Sequence, residues 1–73
     1  MTSQDLRGLA PPEPLLRILE ALDHADAGPH EFLLAREPFF LYPMLAGDGW
    51  RHAIVLDERG YLLTVYRPKL RDP

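Results

Sequence analysis

Residues 4–35 read QDLRGLAPPEPLLRILEALDHADAGPHEFLLA. Gln4–Arg7 precede Gly8 and a proline cluster, which is typical of a short strand ended by a turn. Apolar residues then recur at helical spacing and predict a helix with one buried face: Leu15, Ile18, Leu19, Leu22 and Ala25. Gly28-Pro29 ends this helix, and the apolar run His30–Ala35 predicts a strand buried on both sides. Because strand-helix-strand crossovers are right-handed almost without exception, we expect the two strands to lie parallel.

The second half of the chain predicts a short helix and a hairpin. Leu41–Ala46 is expected to be helical, with Gly47 as its end. Trp50–Asp57 and Tyr61–Arg67 flank the segment Glu58-Arg59-Gly60, whose glycine supplies the positive φ that a hairpin turn requires. The predicted fold class is α+β, with the order β-α-β-α-β-β. We expect a two-layer sandwich in which a mixed four-stranded sheet carries both helices on one face.

Side-chain alternation along the hairpin predicts which residues face the helices. The inward set comprises the larger aliphatic residues Ile54, Leu56, Leu63 and Val65. The outward set comprises Ala53, Val55, Leu62, Thr64 and Tyr66, extended by Leu33 of the neighbouring strand. We expect this open sheet face to hold a second copy in a two-fold dimer, or a partner protein. A three-residue turn at residues 58–60 would instead shift the register by one and mix the two faces.

Length and composition limit the classes of function. The 73 residues support one domain, expected at residues 4–68, with flexible termini at 1–3 and 69–73. The absence of cysteine excludes thiol chemistry in this chain and favours a cytoplasmic location. The net charge of -3 argues against binding to nucleic acids, and no apolar segment approaches the length of a membrane span.

Two motifs carry a resemblance to known families. Residues 5–14, DLRGLAPPEP, resemble the opening of the TusA/SirA-like sulfur carriers, in which a D-x-R-G-like run is followed by Cys-Pro-x-Pro. Residues 12–14 match the Pro-x-Pro part, and Pro11 stands where the persulfide-carrying cysteine would be. With residues 36–43, REPFFLYP, the chain is similar over residues 5–68 to the bacterial domain of unknown function 2249 family. This resemblance implies a TusA-like fold without sulfur transfer. It implies no activity, although members are sometimes fused to, or encoded near, hemerythrin-like and nitrogen-oxide-related proteins.

The same two motifs define the candidate binding site. Ligands of open sheets tend to bind beyond the carboxyl ends of parallel strands, and both motifs follow such strand ends. We predict that Arg7, Glu13, Arg36 and Tyr42 bind a protein partner or a small anion at this edge. Helix N-termini favour anions, although the prolines in both motifs remove the N–H donors that an anion would use. In the alternative interpretation Tyr42 belongs to the core, and the two arginines only hold the strand ends by pairing with Asp5, Glu13 or Glu37.

Other chemistry has less support in the sequence. No nucleophile and base occur in a recognisable arrangement, so catalysis is not expected; an enzyme would have to use the carboxylate of Glu13 or Glu37. No metal or cofactor is expected, because three histidines are scattered along the chain: His24, His30 and His52. Trp50 is expected to cap the core. The sequence favours a non-enzymatic binding or adaptor module. The second candidate is an accessory component of a sulfur, metal or nitrogen-oxide pathway that acts on a partner-supplied cofactor.

Overall fold

The computed structural model describes residues 2–68. Its elements are β1 (Thr2–Asp5), α1 (Glu13–Asp23), β2 (His30–Leu34), α2 (Leu41–Gly47), β3 (Arg51–Asp57) and β4 (Gly60–Tyr66). The four strands form one sheet in the order β1-β2-β4-β3. β1 is parallel to β2, whereas the other neighbouring pairs are antiparallel. The predicted α+β class, element order and mixed sheet are confirmed. The expectations for Met1 and for residues 69–73 lie outside the described residues.

The first strand begins and ends two residues earlier than predicted. We expected a strand at Gln4–Arg7, but β1 ends at Asp5. The carboxylate of Asp5 accepts a hydrogen bond from the backbone N–H of Arg7 at 3.1 Å, which turns the chain and ends the strand. Leu6, just beyond the strand, is buried in the core. The two residues before Gln4, expected in a flexible terminus, are therefore strand residues paired with β2.

Both helices present a narrow apolar stripe to the sheet. α1 begins next to a proline in its first turn, as expected, and ends at Asp23, so that Ala25 packs against the core from just beyond the helix. α2 is short and includes Gly47, which was expected to end it. The buried residues of the two helices are Ile18 and Leu22 in α1, and Leu41 and Leu45 in α2. Within residues 2–68, neither helix has the length and apolarity needed to cross a membrane.

The core lies between the two helices and one face of the sheet. Ten buried residues of the described part form one cluster: Leu6, Ile18, Leu22, Phe32, Leu34, Leu41, Leu45, Trp50, Leu63 and Val65. Buried side chains of both helices form one cluster with strand residues of a single sheet face, so both helices lie on that face, as predicted. Trp50 caps this core as expected, with the guanidinium of Arg67 lying 4.0 Å from its ring centroid. Leu33 is also buried, but it lies on the opposite face, outside the cluster.

The hairpin has a two-residue turn. Asp57 pairs with Gly60, so the alternative three-residue turn does not form. Ile54 pairs with Leu63 on the helix face, and the residues predicted to point outward share the other face. One inward residue behaves differently from the prediction: Leu56 is 65% exposed. The reason is that β3 is an edge strand on which only Ile54 is even half-buried, so the helices do not cover its end.

Gly60 is required by both the turn and the sheet. Its φ of +135° lies in a region that L side chains rarely adopt, as predicted for the glycine of this turn. A Cβ atom at this position would also lie 2.6 Å from the backbone oxygen of Leu34. The close approach of β4 to the end of β2 therefore depends on the missing side chain.

Candidate functional site

The two motif segments meet at one groove, as expected. The groove has a volume of about 470 Å³ and lies between the loop that precedes α1 and the loop that joins β2 to α2. Its buried lining residues belong to the core and are Leu6, Ile18, Leu34 and Leu41. Its more accessible lining comes from residues 8–12, 14 and 15 on one side and from residues 35–38 and 40 on the other. The groove therefore opens directly above the hydrophobic core, at the carboxyl ends of the two parallel strands.

The lining is mainly hydrocarbon, with two ionisable side chains, Arg36 and Glu37. The carboxylate of Glu37 accepts a hydrogen bond of 2.9 Å from the hydroxyl of Tyr42. Arg36 is exposed and forms no ion pair or side-chain hydrogen bond with any other residue in 2–68. An apolar groove whose rim carries a cation without an ion-pair partner in the described part of the chain has the chemistry to bind an anion with an apolar body.

Two large aromatic side chains beside the groove face solvent. Phe39 is 69% exposed and Phe40 is 62% exposed, and Phe40 also lines the groove. The rings of Phe39 and Tyr42 contact each other in a T-shaped arrangement, with the ring centroids 6.2 Å apart. These two phenylalanines lie outside the core and extend the apolar surface of the groove toward solvent.

Arg7 is held by contacts within the protein. Its guanidinium donates to both carboxylate oxygens of Asp5, at 2.9 and 2.7 Å, and to the backbone oxygen of Arg59 at 3.0 Å. The hydrogen bonds from Arg7 lower the pKa of Asp5 to about 2, and the same carboxylate raises the pKa of Arg7. Arg7 therefore fastens the end of β1 to the turn between β3 and β4. It does not line the groove.

Glu13 and Tyr42 also lie outside the groove lining. The carboxylate of Glu13 accepts a 2.8 Å hydrogen bond from Arg17 one helical turn later. Tyr42 is half-buried against the core, and its ring stacks on His52 with centroids 4.0 Å apart. Burial, together with the hydrogen bond to Glu37, raises the pKa of Tyr42 to about 12. Of the four predicted site residues, Arg36 is the one that the structure places on the groove.

Comparisons with known proteins add no family to this description. No family model matches the chain, and neither a curated protein nor a solved structure shows significant similarity to it. The function must therefore be inferred from the groove, its charge and its surroundings.

Most of the groove was not predicted from the sequence. The loop at residues 8–11 and the first turn of α1 supply much of its apolar lining, including Leu9, Pro11 and Leu15. The relevant signal was the density of proline and leucine around the start of α1, which we interpreted only as a turn and a helix start. We predicted Arg7 because it is charged, whereas the concave surface consists mostly of uncharged residues.

The three histidines have separate environments. His30 is buried and its Nε2 donates to the backbone oxygen of Asp26 at 2.9 Å. His24 is exposed beyond the end of α1, and His52 stacks on Tyr42. No group of three or more His, Cys, Asp or Glu side chains within residues 2–68 is close enough together to hold a metal ion.

Proposed function

We propose that the protein is a non-enzymatic binding module whose groove, at the strand-end edge beside Arg36, takes an amphipathic anion. The anion belongs to a small ligand or to an acidic, apolar segment of a protein partner. The single observation that carries this proposal is the guanidinium of Arg36, which has no ion-pair partner within residues 2–68 and lies at the rim of an apolar groove of about 470 Å³. The hydrocarbon body of the ligand packs on the groove lining, and its carboxylate or phosphate pairs with Arg36.

The role of Arg7 in this proposal is indirect. Its guanidinium donates hydrogen bonds to Asp5 and to the backbone of the hairpin turn. Arg7 therefore holds the sheet edge in place without contacting the ligand. Arg36 has no ion-pair partner among the described residues, and the neighbouring carboxylate of Glu37 accepts a hydrogen bond from the hydroxyl of Tyr42. Among the lining side chains, the positive charge that an anionic ligand meets is therefore that of Arg36, and the carboxylate of Glu37 is the other ionisable group.

Decanoate is a suitable probe, because it combines a flexible hydrocarbon chain with one carboxylate. We expect decanoate to shift the backbone amide signals of Leu9, Ala35 and Phe40 in two-dimensional NMR spectra. Acetate, which has the charge without the hydrocarbon, is expected to bind far more weakly. A charged hydrogen bond contributes about 1.5–3 kcal/mol, so Arg36→Gln is expected to weaken decanoate binding at least about tenfold.

The matched control is Arg17→Gln, which removes the same charge from a residue outside the groove lining. We expect this variant to bind decanoate as the wild type does. Equal affinity of Arg36→Gln and the wild type would contradict the proposal, as would signal shifts confined to residues outside the groove.

We also propose that the chain is a TusA-like domain of the domain of unknown function 2249 group and that it works in the cytoplasm. Support comes from the two motifs at residues 5–14 and 36–43, from the β-α-β-α-β-β order and from the absence of cysteine. Pro11, in the position of the sulfur-carrying cysteine, lines the groove. In this proposal the position that carries sulfur in the related proteins is occupied by an apolar side chain of the groove.

A further inference from the structure

β3 has an open edge that the described part of the chain does not cover. It is seven residues long and lies at the border of the sheet, paired only with β4 within residues 2–68. Two of its apolar side chains face solvent: Val55 is 56% exposed and Leu56 is 65% exposed. Edge strands are normally protected by proline, by charged residues or by shortness. Residues 52–56 contain no proline and no Lys, Arg, Asp or Glu, so this edge lacks those protections.

The strand is complementary to itself. When two copies pair antiparallel about Ile54, all seven residues of each β3 find a partner. Arg51 of one copy then lies opposite Asp57 of the other, at both ends of the ladder. Opposite charges in directly facing positions are favourable, whereas like charges would repel. A shift of register in either direction loses these charge pairs and shortens the ladder.

The same pairing covers both exposed apolar side chains. A two-fold axis perpendicular to the sheet keeps the helix faces of the two copies on the same side. On the outer face, Val55 of each copy meets Ala53 of the other. On the helix face, Leu56 meets His52 of the second copy, whose ring is already stacked on Tyr42. The exposed leucine thus gains an aromatic surface to pack against.

We propose that the protein forms a two-fold dimer in which β3 pairs antiparallel with β3 of a second copy, which joins two four-stranded sheets into one of eight strands. The open sheet face is a poorer interface. Leu33 on this face is only 7% exposed, so a partner would cover little more of it. Glu31 lies on the same face, opposite Thr64, so face-to-face packing would also bury carboxylates. No residue of β3 lines the groove, so this dimer is independent of ligand binding.

The absence of cysteine permits a direct cross-linking test. Ala53→Cys and Val55→Cys chains, one of them carrying a mass tag, are mixed and oxidised. Directly opposed residues have Cβ atoms about 4.5–5.5 Å apart, whereas diagonal pairs are about 7–8 Å apart. A disulfide therefore forms readily only between opposed positions. We expect the mixed disulfide dimer to form faster than either homodimer.

Leu62→Cys serves as the control for the alternative interface, because Leu62 lies on the open sheet face one strand away from the edge. We expect little cross-linking of this variant. Preferential cross-linking of Leu62→Cys would assign the interface to the open face and overturn the proposal. Failure of the mixed pair to exceed the homodimers would also overturn it.

Sedimentation equilibrium tests the uncrosslinked protein. We expect the wild type to dimerise reversibly between micromolar and millimolar concentrations. Val55→Lys places a charge on the edge, so it is expected to raise the dimer dissociation constant at least about tenfold. Leu16→Lys adds the same charge at a leucine of α1 that is 52% exposed, and it should dimerise as the wild type does. A wild type that stays monomeric throughout contradicts the proposal.

Discussion

Arg7 and Arg36 are the same residue type at the same edge of the sheet, yet their surroundings give them different roles. Asp5 lies two residues before Arg7 and turns toward it, so the carboxylate receives both the backbone N–H and the guanidinium of Arg7. The acidic neighbour of Arg36 is Glu37, whose carboxylate accepts a hydrogen bond from the hydroxyl of Tyr42. The alternative interpretation, in which arginines hold strand ends, therefore describes the contacts of Arg7. It does not describe those of Arg36.

The pair of Asp5 and Arg7 predicts a component of acid unfolding. The pKa of Asp5 is about 2 in the folded protein, against about 3.9 in an unfolded chain. Because the folded pKa is the lower one, the contribution to stability is present above about pH 4 and is lost as the pH falls toward 2. As the pH is lowered from about 4 to 2, the free energy of unfolding of the wild type should decrease. We expect a smaller decrease for Asp5→Asn, measured by urea unfolding at each pH.

Glu58→Gln is the control for that experiment, since Glu58 is exposed and its carboxylate accepts no hydrogen bond from another residue in 2–68. Its pH dependence should match that of the wild type. An Asp5→Asn variant with an unchanged slope would mean that Arg7 pairs with Asp5 too weakly in solution to shift its titration.

At the scale of elements, the sequence was informative where apolar residues recur with a clear period. The spacing from Leu15 to Leu22 predicted α1, and the alternation on either side of Gly60 predicted the hairpin and its faces. Local hydrogen bonds were harder to predict, as the turn at Asp5 shows by ending β1 early. Contacts distant in sequence were not predicted at all. Arg7 donates to the backbone of Arg59, 52 residues away, and no local pattern contains that information.

A substitution in the hairpin turn tests whether the packing of β4 against β2 requires glycine at position 60. Gly60→Ala places a side chain at a φ of +135° and brings its Cβ against the backbone of β2. We expect this variant to lose about 1–3 kcal/mol of unfolding free energy. Gly47→Ala is the matched control: it lies in α2, its Cβ would have open space, and alanine favours a helix by about 0.5–1 kcal/mol. Urea unfolding should therefore show opposite signs for the two variants. Equal effects would contradict the role assigned to Gly60.

At the scale of the whole molecule, one small core joins both helices to strands β2, β3 and β4. The chain has 73 residues and no cysteine, so no disulfide within it adds to the packing. A domain of this size has a free energy of unfolding of about 5 kcal/mol or less. Any single core residue therefore carries a large share of the stability.

Leu45 is a suitable residue for testing this dependence, because it is 1% exposed and anchors α2 without lining the groove. We expect Leu45→Ala to cost about 2–5 kcal/mol, which is close to the whole stability of the domain. Circular dichroism at 37 °C should then show a largely unfolded variant. Leu16→Ala, at a leucine that is 52% exposed, should remain folded. A Leu45→Ala variant as stable as the wild type would show that the core is not the main source of stability.

The position of β4 has a consequence for synthesis on the ribosome. β4 is the last element of the described residues, but it lies between β2 and β3 in the sheet. Translation produces the other described elements before this central strand. A nascent chain that has emerged only as far as Asp57 therefore exposes the inner edges of both β2 and β3, and neither edge has its native partner. The sheet closes only when Gly60–Tyr66 inserts between them. Until then, the growing chain presents two unpaired strand edges to its surroundings, the condition under which nascent proteins most readily aggregate.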